Sequence, residues 1–311
     1  MFGFVLRRIG VAIPTILVII TVAFFMMRAA PGGPFDLERP MPEETRQVIL
    51  ANYGMDQPLW RQYVDYMGNL FQGDLGPSLK LRDKRVSEII AEGFPVSATI
   101  GLFSMALAIG LGSLLGSIAA LRQNTAGDFS IMTFAMVGIS IPPFVMGPIL
   151  ALVFGLYLGL VPTGGLDPRL GMTPDRLVLP IITLALPQIA IIARLMRASM
   201  IEVIRSNYIR TARAKGLSAP AVIFKHALRS AVLPLVSYLG PASAAVLSGS
   251  LVIERVFQLP GIGKHFVDAA LQRDYTVVMG VVIIYAALII LLNLLADLFY
   301  GVLNPKVKYE S

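Results

Sequence analysis

The chain of 311 residues is 56% apolar and only 14% charged, with a mean hydropathy of +0.73, a balance that excludes an ordinary water-soluble domain and makes the bilayer its natural solvent. It contains no cysteine and two histidines far apart, His226 and His265, which excludes disulfide staples, thiolate metal sites and cysteine nucleophiles and leaves little for zinc. The formal charge of +7 is, in such a chain, a topology signal rather than a nucleic-acid footprint.

A bilayer core takes about 20 mostly apolar residues per helix. Six stretches meet that length, at 9–30, 97–121, 129–160, 177–197, 233–253 and 277–303. The first follows Arg7-Arg8, ends in Met27-Arg28 and lacks a small-residue cleavage pattern, so it reads as a retained helix and not as a signal peptide. With the N-terminus inside, segments 1–8, 122–128, 194–232 and 304–311 carry 13 Lys plus Arg against 3 Asp plus Glu, whereas the opposite side carries 12 against 15. That asymmetry predicts two cytoplasmic termini.

Residues 31–96 are too polar to span and too long for a simple loop, and they read as a small helical cap. Pro42-Glu43-Glu44 has the form of a first helical turn, with proline at N1 and acids at the positive end of the dipole. Pro58 opens a second helix, with Leu59, Tyr63, Tyr66 and Leu70 on one face and a stop near Gly73. Trp60, the only tryptophan, together with Tyr63, Tyr66 and Phe71, suits anchoring at the membrane surface or contact with a soluble partner.

Within the spans, Gly112 and Gly116 form a small-xxx-small face, and Gly249 with Ala245 offers a similar one on the fifth span. Both predict close helix approach, within the chain or to a second membrane subunit. Pro142, Pro143 and Pro148 in the third span, Pro180 and Pro187 in the fourth, and Pro241 in the fifth interrupt the helical ladder and predict kinks or breaks. Of these, Pro142, Pro143, Pro187 and Pro241 are candidate pathway or gating kinks, against the ordinary enrichment of proline in membrane helices. Outside the segments counted as cytoplasmic, only Arg28 and Asp297 fall inside the spans, too few for a proton-coupled carrier or a voltage sensor. Asn293, one turn before Asp297, joins it as a pair of polar side chains that can hydrogen-bond across to other helices.

No motif carries catalysis. The run LPGIGKH at 259–265 has Gln258 where a phosphate loop needs its first glycine and His265 where it needs Ser or Thr. No G-x-S-x-G elbow, H-E-x-x-H or paired carboxylates on a helical face appear. The chain is therefore read as non-enzymatic, with no metal and no cofactor of its own.

The most informative stretch is Tyr208 to Pro234, where Arg210, Arg213, Lys215, Lys225 and Arg229 meet no acidic residue. Ser199 to Lys215 reads as an amphipathic helix, Leu217 to Pro220 as a turn with Ser218 as N-cap, and Ala221 to Ala231 as a second helix. Gly216 suits a C′ position of positive φ, and Pro234 restarts the chain into the membrane. Composition alone leaves two ligands for these cations, anionic lipid heads and a soluble protein.

The residues themselves carry a resemblance. YIRTARAKGL at 208–217, followed by HALRSAVLP at 226–234, resembles the cytoplasmic "EAA" loop of bacterial ABC importer permeases, in the form of the dipeptide, oligopeptide and nickel branch. Arg210, Thr211, Ala212 and Gly216 occupy the Glu, Ala, Ala and Gly positions of the general pattern. The arginine, the threonine and a Pro234 set further from the glycine depart from the sugar importers. FFMMRAAPGGPF at 24–35, GDLGPSL at 73–79, FPVSATIGL at 94–102, IAALRQNT at 118–125 and ERVFQLPGIGKHFVDAALQRDYTVVMG at 254–280 are similar to the first, B-type, permease of oligopeptide importers.

That resemblance implies an all-α membrane protein with six transmembrane helices and the type I ABC importer permease fold. Its parts would be an N-terminal helix at 1–30, an extracytoplasmic cap at 31–96, a core at 97–303 with a coupling loop at 199–232, and a cytoplasmic tail at 304–311. It implies a bacterial inner-membrane subunit of an ATP-driven oligopeptide importer, with dipeptide or nickel import as the nearest alternatives. The implied partners are a second, C-type permease, two ATPase subunits that hold ATP and magnesium, an extracytoplasmic peptide-binding protein and the peptide itself. Arg210, Thr211, Ala212, Arg213, Ala214, Lys215, Gly216, Leu217 and Pro234 are the implied ATPase-coupling residues. The readings it displaces are an ion-coupled carrier, for which buried charge is scarce, and a membrane scaffold, which leaves the proline-rich spans unexplained.

Overall fold

The computed structural model describes residues 2–30, 32–35, 42–81, 83–167 and 169–303; the expected tail at 304–311 lies outside them. In chain order the helices are α1 (Phe2–Ala29), α2 (Glu43–Asn52), α3 (Leu59–Phe71), α4 (Val86–Leu121), α5 (Ala126–Ser140), α6 (Pro143–Leu150), α7 (Pro174–Ile204), α8 (Asn207–Ala214), α9 (Ala219–Ala221), α10 (Leu228–Ala231), α11 (Leu233–Val256), α12 (Ile262–Gln272) and α13 (Tyr275–Leu303). π-helical segments continue α6 over Ala151–Tyr157 and join α9 to α10 over Val222–Ala227. Among the described residues there is no strand.

Helices α1, α4, α7, α11 and α13 are each long and apolar enough to cross a bilayer. The third expected span is not one rod: α5 and the α6–π run are bent by 104° at Ile141–Pro142. A residue before proline is pushed out of the α region by the pyrrolidine ring. Ile141 and Pro142 both precede a proline and both are extended, at ψ 119° and 142°. Single prolines have a smaller effect, because one missing N–H is bridged by packing on neighbouring helices. Accordingly α7 stays helical through Pro180 and Pro187, and α11 through Pro241, so of the expected kinks or breaks no break occurs there.

Helix α4 lies parallel to α7 at van der Waals distance. Ser104 Oγ donates to the Ile181 carbonyl (3.1 Å). Further along, a methyl group on Gly112 would lie 2.8 Å from Ile192 Cβ, and one on Gly116 2.8 Å from Met196 Cβ. The small-xxx-small face therefore packs within the chain, as does Gly249 against Leu184 of α7. Helix α5 runs antiparallel to α7, with Gly138 on the Leu186 carbonyl and Asp128 at Arg197. Helix α13 runs antiparallel to α11, where Gly240 faces Asn293, and to α1, where Arg8 meets Asp297 at 2.7 Å. Asp297 thus bonds across helices to α1, as expected of it, while Asn293 donates to Ile289 of its own helix. Together these contacts gather the start of α1, the α4–α5 turn, the end of α7 and the end of α13 at one end of the bundle.

At the other end, α3 packs Tyr63, Tyr66, Met67 and Leu70 on Ile20 and Phe24 of α1 and Met279 of α13. The loop 74–85 is closed by Asp74 and Arg85 at 2.7 Å, and the Arg85 hydrogen bond holds the Asp74 carboxyl below its usual range. Buried Asp274 then ties this loop to the bundle. It accepts from Ser78 Oγ and from the Leu79 and Lys80 N–H groups, and it caps α13 through the Val277 N–H at 3.3 Å. The boundary expected at 96 falls inside α4, which already starts at Val86.

Helix α12 was not anticipated. Its N-terminal amides are held by Glu254, fully buried near the end of α11, which accepts from the Gly263 N–H (2.7 Å) and the Lys264 N–H (3.3 Å). Ser97 of α4 accepts from the Ile262 N–H at 2.9 Å. Glycine is required beside this carboxylate, because a Cβ on Gly263 would lie 2.6 Å from Leu251 Cα. The anion sits where a helix N-terminus is positive and its amides lack partners.

Replacing Gly116 with leucine is expected to separate α4 from α7 and destabilise the bundle by at least roughly 1–3 kcal/mol, read as a lower thermal midpoint in detergent. Gly110→Ala, at a glycine with open space around it, should leave the midpoint unchanged; equal behaviour of the two variants would contradict this packing.

Candidate functional site: a cationic helix at the end of the bundle

Five expected site residues, Arg210, Thr211, Arg213, Ala214 and Lys215, and Gly216 after them, are exposed on the end of the bundle beyond α7. The amphipathic helix expected over 199–215 is in fact two. Helix α7 continues to Ile204, the chain turns at Arg205 and Ser206, and α8 follows. Ser206 is extended (φ −69°, ψ 155°), and its hydroxyl donates back to the Val203 carbonyl at 2.6 Å. An extended serine at the N-cap starts a helix in a new direction.

One face of α8 is apolar and buried. Ile209 and Ala212 join Met196 and Met200 of α7 with Val222, Ala227 and Ala231 of the following segment. Ala212 therefore faces the bundle, unlike its neighbours in the expected coupling motif. The opposite face presents Arg210, Arg213 and Lys215, with Lys225, Arg229 and the 69% exposed Phe224 alongside. No hydrogen bond or ion pair within the described residues engages these five cations.

The C-terminus of α8 closes in a Schellman motif. The Gly216 N–H donates to the Arg213 carbonyl (2.9 Å), and the Leu217 N–H to the Ala212 carbonyl (3.3 Å). Gly216 has φ +79°, a left-handed conformation that costs side-chain-bearing residues energy. Half-buried Leu217 packs back onto the same apolar cluster. Ser218 sits at the N-cap of α9 without a side-chain capping bond, and Pro234 occupies the first turn of α11, where its missing N–H leaves no bond unmade.

Two further ties brace this end. Arg197 Nε and Nη2 each donate to buried Asp128 at 2.6 Å, and Arg205 Nη2 donates to Gln123 Oε1 at 2.9 Å. The turn between α4 and α5 is thereby fastened to α7 just before α8. A bidentate arginine–carboxylate pair fixes orientation as well as distance.

The candidate kinks lie away from this surface. Pro142 and Pro143 form the elbow between α5 and α6, which encloses with α7 an apolar cavity of about 480 Å³, lined by Phe134, Val137, Met146, Leu150, Ile182 and Leu186 among others. Pro187 and Pro241 flank the α7–α11 crossing, where Tyr238 Oη donates to Gln188 Oε1 at 2.9 Å. The buried acids missed in sequence are Asp128, Asp274 and Glu254, the last of them one residue past the span expected to end at 253. The G-x-G of LPGIGK, seven residues on, was the available signal for Glu254.

Residues 112–309 match the model of the binding-protein-dependent transport system inner membrane component, and residues 1–100 match that of its N-terminal part. The oligopeptide transport system permease proteins OppB of Haemophilus influenzae and Salmonella typhimurium are 47% and 48% identical over 309 residues, 99% of this chain and all of theirs. The dipeptide transport system permease protein DppB of Bacillus subtilis is 42% identical over 311 residues, all of this chain and 99% of that one. Among solved structures, the inward-facing MetNI methionine ABC transporter aligns with a TM-score of 0.53 at 18% identity, over 70% of this chain and 94% of that chain. The fold is thus that of the type I ABC importer permeases. With both family models and full-length relatives in agreement, the chain belongs to the inner membrane components of binding-protein-dependent transport systems.

Proposed function

We propose that this chain is the B-type permease of an ATP-driven oligopeptide importer, and that α8 is the element on which an ATPase subunit docks. One observation carries the docking assignment: α8 is packed onto α7 by its apolar face, while its cations, without a partner among the described residues, and the adjoining Phe224 are exposed. Oligopeptide cargo is favoured by the 47–48% identities to oligopeptide permeases against 42% to a dipeptide permease.

In this reading ATP and magnesium are held by separate ATPase subunits, a second permease completes the pathway, and an extracytoplasmic binding protein delivers peptide at the α3 end. Both termini and α8 lie on the cytoplasmic side, in keeping with the excess of Lys and Arg on those segments. Closure of the ATPases would push on α8, and α8 would pass the displacement to α7 and, through Gly112 and Gly116, to α4. The elbow at Pro142 and Pro143 and the α7–α11 crossing at Pro187 and Pro241 are where such a movement would alter the pathway.

Exchanging Arg210 and Arg213 for glutamate should reduce ATPase recovery about tenfold in co-purification at low salt, with membrane insertion unchanged; recovery at the wild-type level would refute the docking role. Gly216→Val should cost roughly 1–2 kcal/mol of local stability and uncouple hydrolysis from uptake, whereas Gly216→Asn, a residue that tolerates the left-handed region, should retain most uptake. Normal uptake by the valine variant would contradict the lever. Because the chain has no cysteine, Asp56→Cys and Ser218→Cys each give a single label, and impermeant maleimide should reach them from opposite sides of the membrane; labelling from one side would overturn the topology.

A further inference from the structure

Helix α3 carries more apolar surface than the bundle covers. Its Tyr63, Tyr66, Met67 and Leu70 pack on α1 and α13, but Trp60, Val64 and Phe71 are 64%, 56% and 78% exposed. At about 100° per residue these three fall within roughly 40° of one another, beside the packed face. Arg61, Asp65 and Asn69, also exposed, occupy the far side of the helix. The pattern is that of an amphipathic helix whose apolar arc is wider than its protein contact.

The depth of α3 identifies what covers the remainder. Tyr63 Oη lies 2.7 Å from Thr21 Oγ1, and the Tyr63 ring is 5.4 Å from that of Phe25. Thr21 is eight residues, about 12 Å, before the end of α1 at Ala29. Helix α3 therefore flanks the apolar part of a membrane-crossing helix and does not sit beyond its end. Val18, Val22, Phe25 and Met26 of α1 are exposed as well, and through the Phe25–Tyr63 contact this exposed apolar surface continues onto α3.

We propose that α3 lies within the membrane, in the leaflet at the C-terminal end of α1, with Trp60, Val64 and Phe71 among phospholipid acyl chains and Arg61, Asp65 and Asn69 toward water. Interfacial helices with aromatic residues on the apolar side behave in this way. The cap is then fixed in height by lipid as well as by its bonds to Asp274, so the surface formed by α2 and loop 74–85 is held at a set distance from the bilayer. The inference depends on the chain crossing a membrane and not on its cargo or its ATPase.

Trp60 is the only tryptophan, so the native chain reports on itself. The full-length chain in phosphatidylcholine nanodiscs with brominated acyl chains should lose about half or more of its tryptophan emission relative to unbrominated discs, as for an indole at the membrane interface, while aqueous iodide should change it little. Moving the reporter with Trp60→Phe and Asp65→Trp should reverse the two sensitivities. Emission from Trp60 that is quenched by iodide but not by bromolipid would place the flank in water. Emission quenched by neither would mean that protein covers it. Either result overturns the proposal.

Discussion

Two glycines, Gly112 and Gly116, let α4 rest directly on the backbone of α7, and much of the molecule is organised around that contact. Lipid gives no hydrophobic gain from bringing helices together, so close backbone approach and dispersion have to hold them. Helix α7 uses its remaining faces for α5, through Ala135 and Gly138 against Ala190, Ala193 and Leu186, and for α11, through Leu184 against Gly249. It then leaves the bundle as the arm that carries α8. A displacement of α8 is thus applied to the helix that touches most of the others.

The acidic residues explain how the ends of this bundle are kept rigid. Asp128, Asp274 and Glu254 are all buried, and the carboxylate of each lies against the start of a helix, α5, α13 and α12 respectively, where free amides and the dipole favour an anion. Each also reaches a second element: Arg197 of α7, the loop at Ser78, and Ser97 of α4 through the shared start of α12. The cations of α8 follow the opposite pattern, exposed and unpaired among the described residues.

The spans, the small-residue faces, the cap and the cationic segment were all legible in sequence, because each rests on local composition or on a period of 3.6 residues. Gly216 at positive φ was legible for the same reason: few other residues adopt that conformation at low cost. The elbow at Pro142 was foreseen as an interruption, but its angle depends on contacts made by α6 far along the chain. The continuity of α7 through Pro180 and Pro187 depends on packing that no local rule supplies. Glu254 lay one residue outside an expected span, and α12 begins only because residues on α4 and α11 supply its caps. The scarcity of charge within the spans argues against a carrier; three acids just outside them, Asp128, Glu254 and Asp274, are nevertheless buried, and it is the full-length similarity to permeases that separates the two readings.

The central claim is that the outward face of α8, and not the face it buries, meets an ATPase. A photo-crosslinking amino acid placed at Thr211 or at Ala212 of the reconstituted transporter tests it most directly. Crosslinks to an ATPase chain from position 211, with crosslinks from position 212 confined to the permease itself, are the predicted result. ATPase crosslinks absent from position 211, or equal from both positions, would contradict the account.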